Sequence, residues 1–168
     1  RWIGSLRQST IGLVRERLDA LDAYGAARAI ADFVDALSNW YVRRSRPRFW
    51  GAADTADKRA ANFTLYESLV VCTRLLAPFT PFLAETMHAA LVRAPFGRRA
   101  AASVHLEDFP TPDPAWRDDA LEARMAAVRQ AVSAGHAARR EHRLRVRQPL
   151  RELIVIADKA RADAIREL

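Results

Sequence analysis

Apolar side chains recur every three or four positions over most of the chain, which is the spacing of an amphipathic α-helix. This spacing predicts a first helix over residues 2–21, a second that ends before Pro47, a third that stops at Ala77 and a fourth that runs to about Val92. We expect Pro47 to end its helix because proline lacks a backbone N–H and disfavours helical geometry in the residue before it. Short connections between these helices predict an antiparallel bundle.

The apolar side chains of the third and fourth helices and of the turn between them are expected to lie in the core of this bundle. They include Phe63, Phe79, Phe82, Leu83, Met87 and Leu91. Cys72 falls in the middle of the third helix between valines and leucines. We interpret it as a small buried hydrophobic residue and not as a nucleophile.

The pattern changes after the fourth helix. Prolines and glycines interrupt residues 94–117, which we interpret as a linker, and a fifth, long helix is predicted over residues 118–143. The β-branched run Leu153–Ala157 predicts a strand, and the residues after it have helical composition. The expected fold is therefore mainly α, with an antiparallel helical bundle over residues 1–93 and a small, truncated C-terminal α/β element over residues 144–168.

Composition excludes several classes of protein. Half of the 168 residues are hydrophobic, which is enough for a packed core, and no apolar run approaches the length of a membrane span. The single cysteine excludes an internal disulfide, and with only four scattered histidines the chain lacks the ligand spacing of a structural zinc site. Because the chain starts without methionine and without the apolar core of a signal peptide, we expect a piece of a longer cytoplasmic polypeptide.

The balance of charge favours a polyanionic partner. The chain has 27 basic and 20 acidic residues, for a net charge of +7, and Lys58 and Lys159 are its only lysines. The planar guanidinium group of arginine suits phosphates and base edges. Joint enrichment in alanine and arginine can also reflect genomic base composition, so the positions of the arginines have to decide.

The densest group of arginines lies in the segment LSNWYVRRSRPRFW, residues 37–50. We call Arg43, Arg44, Arg46 and Arg48 the first basic cluster. Four positive charges within six positions repel one another unless an anion is near, so we expect them to contact phosphates, with Trp50 as a stacking ring. Trp40 and Tyr41 are interpreted as core residues that anchor the helix. The alternative is a solvated helix end whose arginines complement the helix dipole.

A second basic cluster comprises Arg139, Arg140, Arg143, Arg145 and Arg147. It lies at the end of the fifth helix and in the segment that follows, and either a polyanion or a solvated face accounts for it. The sequence contains no glycine-rich phosphate loop, no recognisable Ser–His–Asp set and no metal-ligand spacing. We therefore predict no catalytic residue and no metal ligand in this chain.

Four blocks carry a resemblance to a known family. LSNWYVRRSRPRFW, LLAPFTPFLAETMHAAL, SVHLEDFP and RVRQPLRELIV follow one another in the order and spacing of the C-terminal anticodon-binding region of isoleucyl-tRNA synthetases, in their eukaryote-like bacterial branch. The chain thus resembles that region over most of its length. The APFTPFLAE block is shared with the related synthetases for valine, leucine and methionine, whereas NWYVRRSR and VRQPL point to isoleucine.

The resemblance implies a helical bundle that binds the anticodon arm of tRNA, that of the isoleucine acceptor. Its RNA-binding residues would be Arg43, Arg44, Arg46, Arg48, Trp50, Arg139, Arg140, Arg143 and Arg147. A separate domain of a monomeric, cytoplasmic parent would use ATP and Mg²⁺ to attach isoleucine. The HIGH and KMSKS signatures of that domain have no counterpart here, so no cofactor is expected in this chain.

Two departures from the family pattern bear on these expectations: Pro47 and Phe109 stand where arginine and tryptophan are common. Pro47 removes a positive charge from the first basic cluster, which leaves open which arginines touch RNA.

Three alternatives remain open at this point. They are the anticodon domain of a valyl, leucyl or methionyl synthetase, a structural bundle that docks on its own catalytic domain without reading tRNA, and a peripheral membrane or polyanion binder.

Overall fold

The structure, a computed structural model, describes residues 1–167, except for the side chain of Ala160. Its contacts divide the chain into two compact units, residues 3–117 with Arg1, and Trp2 with the residues from Asp118 onward. The α-helices are α1 (Trp2–Asp19), α2 (Ala23–Asp35), α3 (Arg43–Trp50), α4 (Ala56–Leu76), α5 (Pro81–His88), α6 (Ala94–Phe96), α7 (Asp119–Glu141) and α8 (Lys159–Arg166). The π-helical segments are Ala36–Val42 and Ala89–Arg93, and the 3₁₀ turns are Gly97–Arg99, Val104–Leu106 and Pro114–Trp116.

The chain reverses direction between α1 and α2 through a tight cap. Leu21 adopts a left-handed backbone with φ of 58°, and the N–H of Asp22 donates to the carbonyl of Arg17 at 2.7 Å, which is the pattern of a Schellman motif. The Asp22 carboxylate then accepts from the N–H of Gly25 at 2.8 Å and caps α2. A Cβ at position 25 would lie 2.2 Å from Asp22 Oδ2, so any other residue there would displace the capping carboxylate.

The core of the first unit lies where α1, α2 and α4 meet. Its buried cluster consists of Ile11, Val14, Ala26, Ala29, Ile30 and Leu75. Phe33 of α2 is the largest fully buried side chain, with 2 % of its surface exposed. A bundle of helices joined by short turns is what the periodicity predicts, and the mainly α fold class is confirmed.

The helix that begins with α5 buries a different face from the predicted one. Its buried side chains are Ala84, His88 and Val92, four residues apart along one stripe. Three residues that the sequence predicts in the core are instead exposed, namely Phe63, Phe82 and Leu83. The prediction for these three is wrong because periodicity shows that a helix has stripes but not which stripe meets a neighbour. The helical path also continues past Val92 to Phe96.

The proline-rich segment that the sequence predicts as a linker, residues 94–117, packs on the bundle. Arg15 donates to the carbonyl of Pro110 at 3.2 Å, and the N–H of Asp113 donates to Gln8 Oε1 at 3.0 Å. Hydrogen bonds to α1 therefore hold this segment in the first unit. The Glu85 carboxylate also accepts from Ser103 Oγ at 2.8 Å, and this bond holds the pKa of Glu85 below its ordinary value of 4.5.

In the second unit α7 begins as predicted, with Asp118 accepting from the N–H of Leu121 at 2.9 Å. Arg124 of α7 pairs with Glu167, directly after α8, at 3.0 Å. The predicted strand at Leu153–Ala157 does not form: the segment has no regular secondary structure and pairs into no sheet within residues 1–167. A β-strand needs a neighbouring strand to satisfy its backbone groups, and the described part of the chain provides none.

Burial of one phenylalanine and exposure of another give a matched test of the core. We expect Phe33→Ala to lower the free energy of unfolding by about 3–5 kcal/mol, because it removes a buried ring and leaves a cavity. Phe82→Ala removes the same group from a site that is 89 % exposed and should change that free energy by less than about 0.5 kcal/mol. Urea unfolding followed by circular dichroism measures both, and equal losses would contradict the assigned core.

Burial also determines the reactivity of Cys72. Desolvation raises the pKa of its thiol to about 12, so almost no thiolate exists at neutral pH. We expect iodoacetamide at pH 8 to leave Cys72 unmodified in the folded protein and to alkylate it rapidly in urea. Mass spectrometry after timed labelling measures this, and fast alkylation without denaturant would show that the thiol is accessible.

Candidate nucleic-acid interface

A continuous helical path carries the first basic cluster. The path runs from α2 through the π-helical segment Ala36–Val42 into α3, and Pro47 lies inside α3. The prediction that the helix ends before Pro47 is therefore wrong. Pro47 removes only one backbone hydrogen bond, close to the end of the helix, and its own carbonyl still accepts from the N–H of Gly51 at 3.2 Å.

Arg43 and Arg44 are two members of this cluster that no carboxylate within residues 1–167 neutralises. Both side chains are exposed on the first turn of α3. Across residues 1–167 neither forms a hydrogen bond or ion pair with another residue of the chain. Two adjacent guanidinium groups in solvent repel each other and create a positive potential that favours a bound anion.

Arg46 and Trp50 form a pair one helical turn apart. The Arg46 guanidinium carbon lies 5.8 Å from the centre of the Trp50 ring, within the range of a cation–π interaction. Trp50 is 76 % exposed. A flat ring in solvent beside a cation is the combination that proteins use to stack nucleobases.

The two aromatic residues predicted as core anchors are both half-buried. The Tyr41 hydroxyl donates to the carbonyl of Ala61 in α4 at 2.9 Å, and its ring packs edge-on against Phe49 with 6.3 Å between centroids. Trp40 lies beside Tyr41 in the π-helical segment. Tyr41 thus ties the end of this helical path to α4.

Arg48 is held within the chain, unlike its neighbours. Its Nε donates to Asp57 Oδ2 at 2.7 Å and its Nη2 to Asp57 Oδ1 at 2.6 Å, which makes the ion pair bidentate. Nη2 also donates to the Asp57 carbonyl at 3.1 Å. These hydrogen bonds favour the charged form of both groups. They lower the pKa of the Asp57 carboxyl and raise the pKa of the Arg48 guanidinium.

The second basic cluster lies in the second unit, at the end of α7. Arg139 is occupied there, since its Nη1 donates to the carbonyls of Arg145 and Gln148, both at 2.9 Å. Arg143 adopts a left-handed backbone with φ of 54° and ends the helix. Arg140, Arg143, Arg145 and Arg147 are exposed.

Other arginines contribute to the net charge without being available to a ligand. Arg7 is buried in α1 and pairs with Glu67 at 3.2 Å, and Arg74 pairs with Glu107 at 2.5 Å. The composition alone therefore overstates the positive surface.

Over residues 1–167 no cluster of three or more His, Cys, Asp and Glu could hold a metal ion. No helix within that range is long and apolar enough to cross a membrane.

A comparison with known families decides what this surface belongs to. The sequence model for the anticodon-binding domain of tRNA ligases matches residues 1–154. The chain belongs to this family. The match covers α1 to α7 and includes both basic clusters, so the candidate surface lies in an anticodon-binding domain.

Curated relatives of this anticodon-binding domain are isoleucine–tRNA ligases, which confirms the resemblance seen in the sequence. The chain is 43 % identical over 175 residues to the ligase of Chlamydia trachomatis serovar D, an alignment that covers 100 % of this chain and 16 % of the relative. It is 48 % identical over 161 residues to that of Thermus thermophilus, covering 95 % and 15 %. The chain therefore spans about a sixth of the length of these relatives.

Sequence reasoning missed the α4 residues that hold the end of α3. Besides Asp57, the Lys58 Nζ donates to the carbonyl of Gly51 at 2.7 Å, and Thr55 Oγ1 accepts from the N–H of Lys58 at 3.1 Å. The one available signal was Thr55, a favourable N-cap residue that places Asp57 and Lys58 in the first turn of α4. Nothing in the spacing links Arg48 to a carboxylate nine positions later.

The Arg48–Asp57 pair predicts a measurable titration. In the folded protein the pKa of Asp57 lies below its ordinary value of 3.8. The ion pair therefore stabilises the fold at pH values above 3.8, and this contribution is lost as the pH falls through the lowered pKa. We expect Arg48→Gln to return the Asp57 pKa toward 3.8, as followed by carboxyl-carbon NMR. Arg59→Gln, which removes the partner of Asp54, is the control and should leave Asp57 unchanged. An Asp57 pKa of 3.8 in the unaltered protein would contradict the ion pair.

Proposed function

We propose that this chain binds the anticodon arm of tRNA through the first basic cluster, as the tRNA-binding module of an isoleucine–tRNA ligase. The observation that carries the proposal is the pair of exposed, unneutralised guanidinium groups of Arg43 and Arg44 on α3. Membership of the anticodon-binding family supports tRNA as the class of ligand. The names of the relatives support isoleucine as the amino acid that this tRNA accepts.

Phosphate contacts would supply most of the affinity. A folded RNA carries a negative charge at every nucleotide, and each arginine that neutralises a phosphate releases condensed counterions. Arg43 and Arg44 lose no internal partner when they bind, so they pay no cost for breaking an ion pair. Arg46 and Trp50 would receive an unpaired base, with stacking on the ring and a cation at its side.

The second basic cluster would make contacts of its own with the RNA, from the second unit. Arg140, Arg143 and Arg147 are its exposed members from the predicted set. Arg139 would act differently, because its hydrogen bonds to the carbonyls of Arg145 and Gln148 hold the segment that presents the others.

The chemistry of the longer protein would take place outside this chain. We propose that the rest of the polypeptide attaches isoleucine to the tRNA with ATP and Mg²⁺, as a monomer in the cytoplasm. The residues of this chain would only bind and orient the anticodon arm against that catalytic part.

A charge-matched pair of variants tests the proposal in the full-length protein. Arg43→Ala/Arg44→Ala removes two unneutralised charges, and we expect the slope of log K against log salt for an isoleucine tRNA transcript to fall by about 2. Arg28→Ala/Arg59→Ala removes the same charge from exposed arginines that are paired with Asp32 and Asp54, and should leave the slope close to that of the unaltered protein. Filter binding between 50 and 300 mM KCl, roughly the range over which such contacts weaken, measures both.

Two results would contradict the proposed function. Equal slopes for the two double variants would show that Arg43 and Arg44 make no phosphate contact. Equal affinity for the intact transcript and for an acceptor minihelix without an anticodon arm would show that this surface does not bind that arm. Either result would favour the alternative that the bundle docks within a longer protein without reading tRNA.

A further inference from the structure

We propose that Arg48 and Asp57 are positioning residues for the RNA surface, and that Arg48 is not a phosphate ligand. Their ion pair would hold the last turn of α3 so that Arg46 and Trp50 present their groups to the RNA. The proposal rests on the proposed function and adds to it the residues that set the geometry of the site.

The hydrogen bonds of Arg48 leave it poorly suited to bind a phosphate. A guanidinium grips an oxyanion best with two parallel N–H groups, and the Nε and Nη2 edge of Arg48 already holds both carboxylate oxygens of Asp57. Nη2 makes a third bond, to the Asp57 carbonyl. A phosphate could take this edge only by displacing a carboxylate of the same charge, so nothing would be gained.

Polar contacts join the end of α3 to α4, beside the edge-on packing of Phe49 on Tyr41. Ser45 is the buried residue of this helix, and Trp50 at its last position is mostly solvated. The hydrogen bonds that join this end to α4 within residues 1–167 include the Arg48–Asp57 pair and the bond from Lys58 Nζ to the carbonyl of Gly51. The direction of the Trp50 ring therefore depends on a turn whose position these contacts set.

The sign of one charge change separates positioning from simple electrostatics. Asp57→Asn removes a negative charge close to a basic surface, which by charge alone should strengthen binding of a polyanion. If the Asp57 carboxylate instead holds α3 in place, the same change should weaken binding. The two accounts thus predict opposite directions for a single substitution.

Asp54 provides a matched control for that substitution. It lies three residues from Asp57 and is also exposed and ion-paired, but its partner is Arg59 of α4 and not a residue of α3. Asp54→Asn therefore makes the same change in charge at nearly the same place without releasing α3.

The experiment measures binding of an isoleucine tRNA transcript to the full-length protein at several salt concentrations. We expect Asp57→Asn to weaken binding about five-fold through lost preorganisation, Asp54→Asn to leave it equal or slightly tighter, and Asp57→Glu to recover most of the loss. Arg48→Gln should weaken binding with an unchanged salt slope, because no phosphate contact is removed.

Several outcomes would overturn the positioning role. One is that the Asp57→Asn variant binds the tRNA as tightly as the Asp54→Asn variant does. Another is that Arg48→Gln reduces the salt slope by about 1, as expected when a phosphate ligand is removed. Loss of binding in Arg43→Ala/Arg44→Ala with no loss in Asp57→Asn would overturn the positioning role alone. No effect in either variant would overturn the proposed function together with it.

A second measurement reports on α3 without RNA. With 5-fluorotryptophan incorporated, the ¹⁹F NMR line of Trp50 is identified by its disappearance in Trp50→Phe. We expect Asp57→Asn to shift or broaden this line and Asp54→Asn to leave it in place. An unchanged line in Asp57→Asn would show that the ion pair does not set the environment of the ring, and would overturn the proposal.

Discussion

The helical path from Ala23 to Trp50 is the constraint on which the rest of the first unit depends. Ala26, Ile30 and Phe33 bury one part of it in the core, and the same path continues into α3 with its exposed arginines. At about 1.5 Å per residue, Ile30 and Arg43 lie roughly 20 Å apart along the axis. Apolar packing at one end of this path therefore sets the position of the charged arginine side chains at the other end.

Ion pairing divides the arginines into two groups with different roles. Arg7, Arg48 and Arg74 are neutralised by carboxylates of the same unit, whereas Arg43 and Arg44 are exposed and have no such partner in the described part of the chain. Exposed ion pairs contribute little to stability, and we propose that the Arg48–Asp57 pair acts by holding the end of α3 in place. Unneutralised charge in solvent costs the fold little and remains available to a polyanion.

The sequence predicted where helices occur better than what they contact. The start of α7 and the reversal between α1 and α2 follow from local capping by Asp118 and Asp22, and both were predictable. Pro47 was expected to end a helix, but it removes a single backbone hydrogen bond near the last turn, and the helix continues to Trp50. At α5 the periodicity correctly predicted a helix, but the prediction of its buried face was wrong. Which face of a helix is buried depends on where the neighbouring helices pack.

The sequence by itself determined the helical content, the two groups of arginines and the resemblance to the anticodon-binding family, because periodicity, composition and motif spacing are properties of the local chain. Only the tertiary structure decided which guanidinium groups are free. Arg43 and Arg48 are alike in the sequence, and they differ because the fold brings Asp57 within hydrogen-bonding distance of Arg48 and, over residues 1–167, no carboxylate to Arg43. A contact between side chains of different helices depends on where those helices pack, and no local pattern records it.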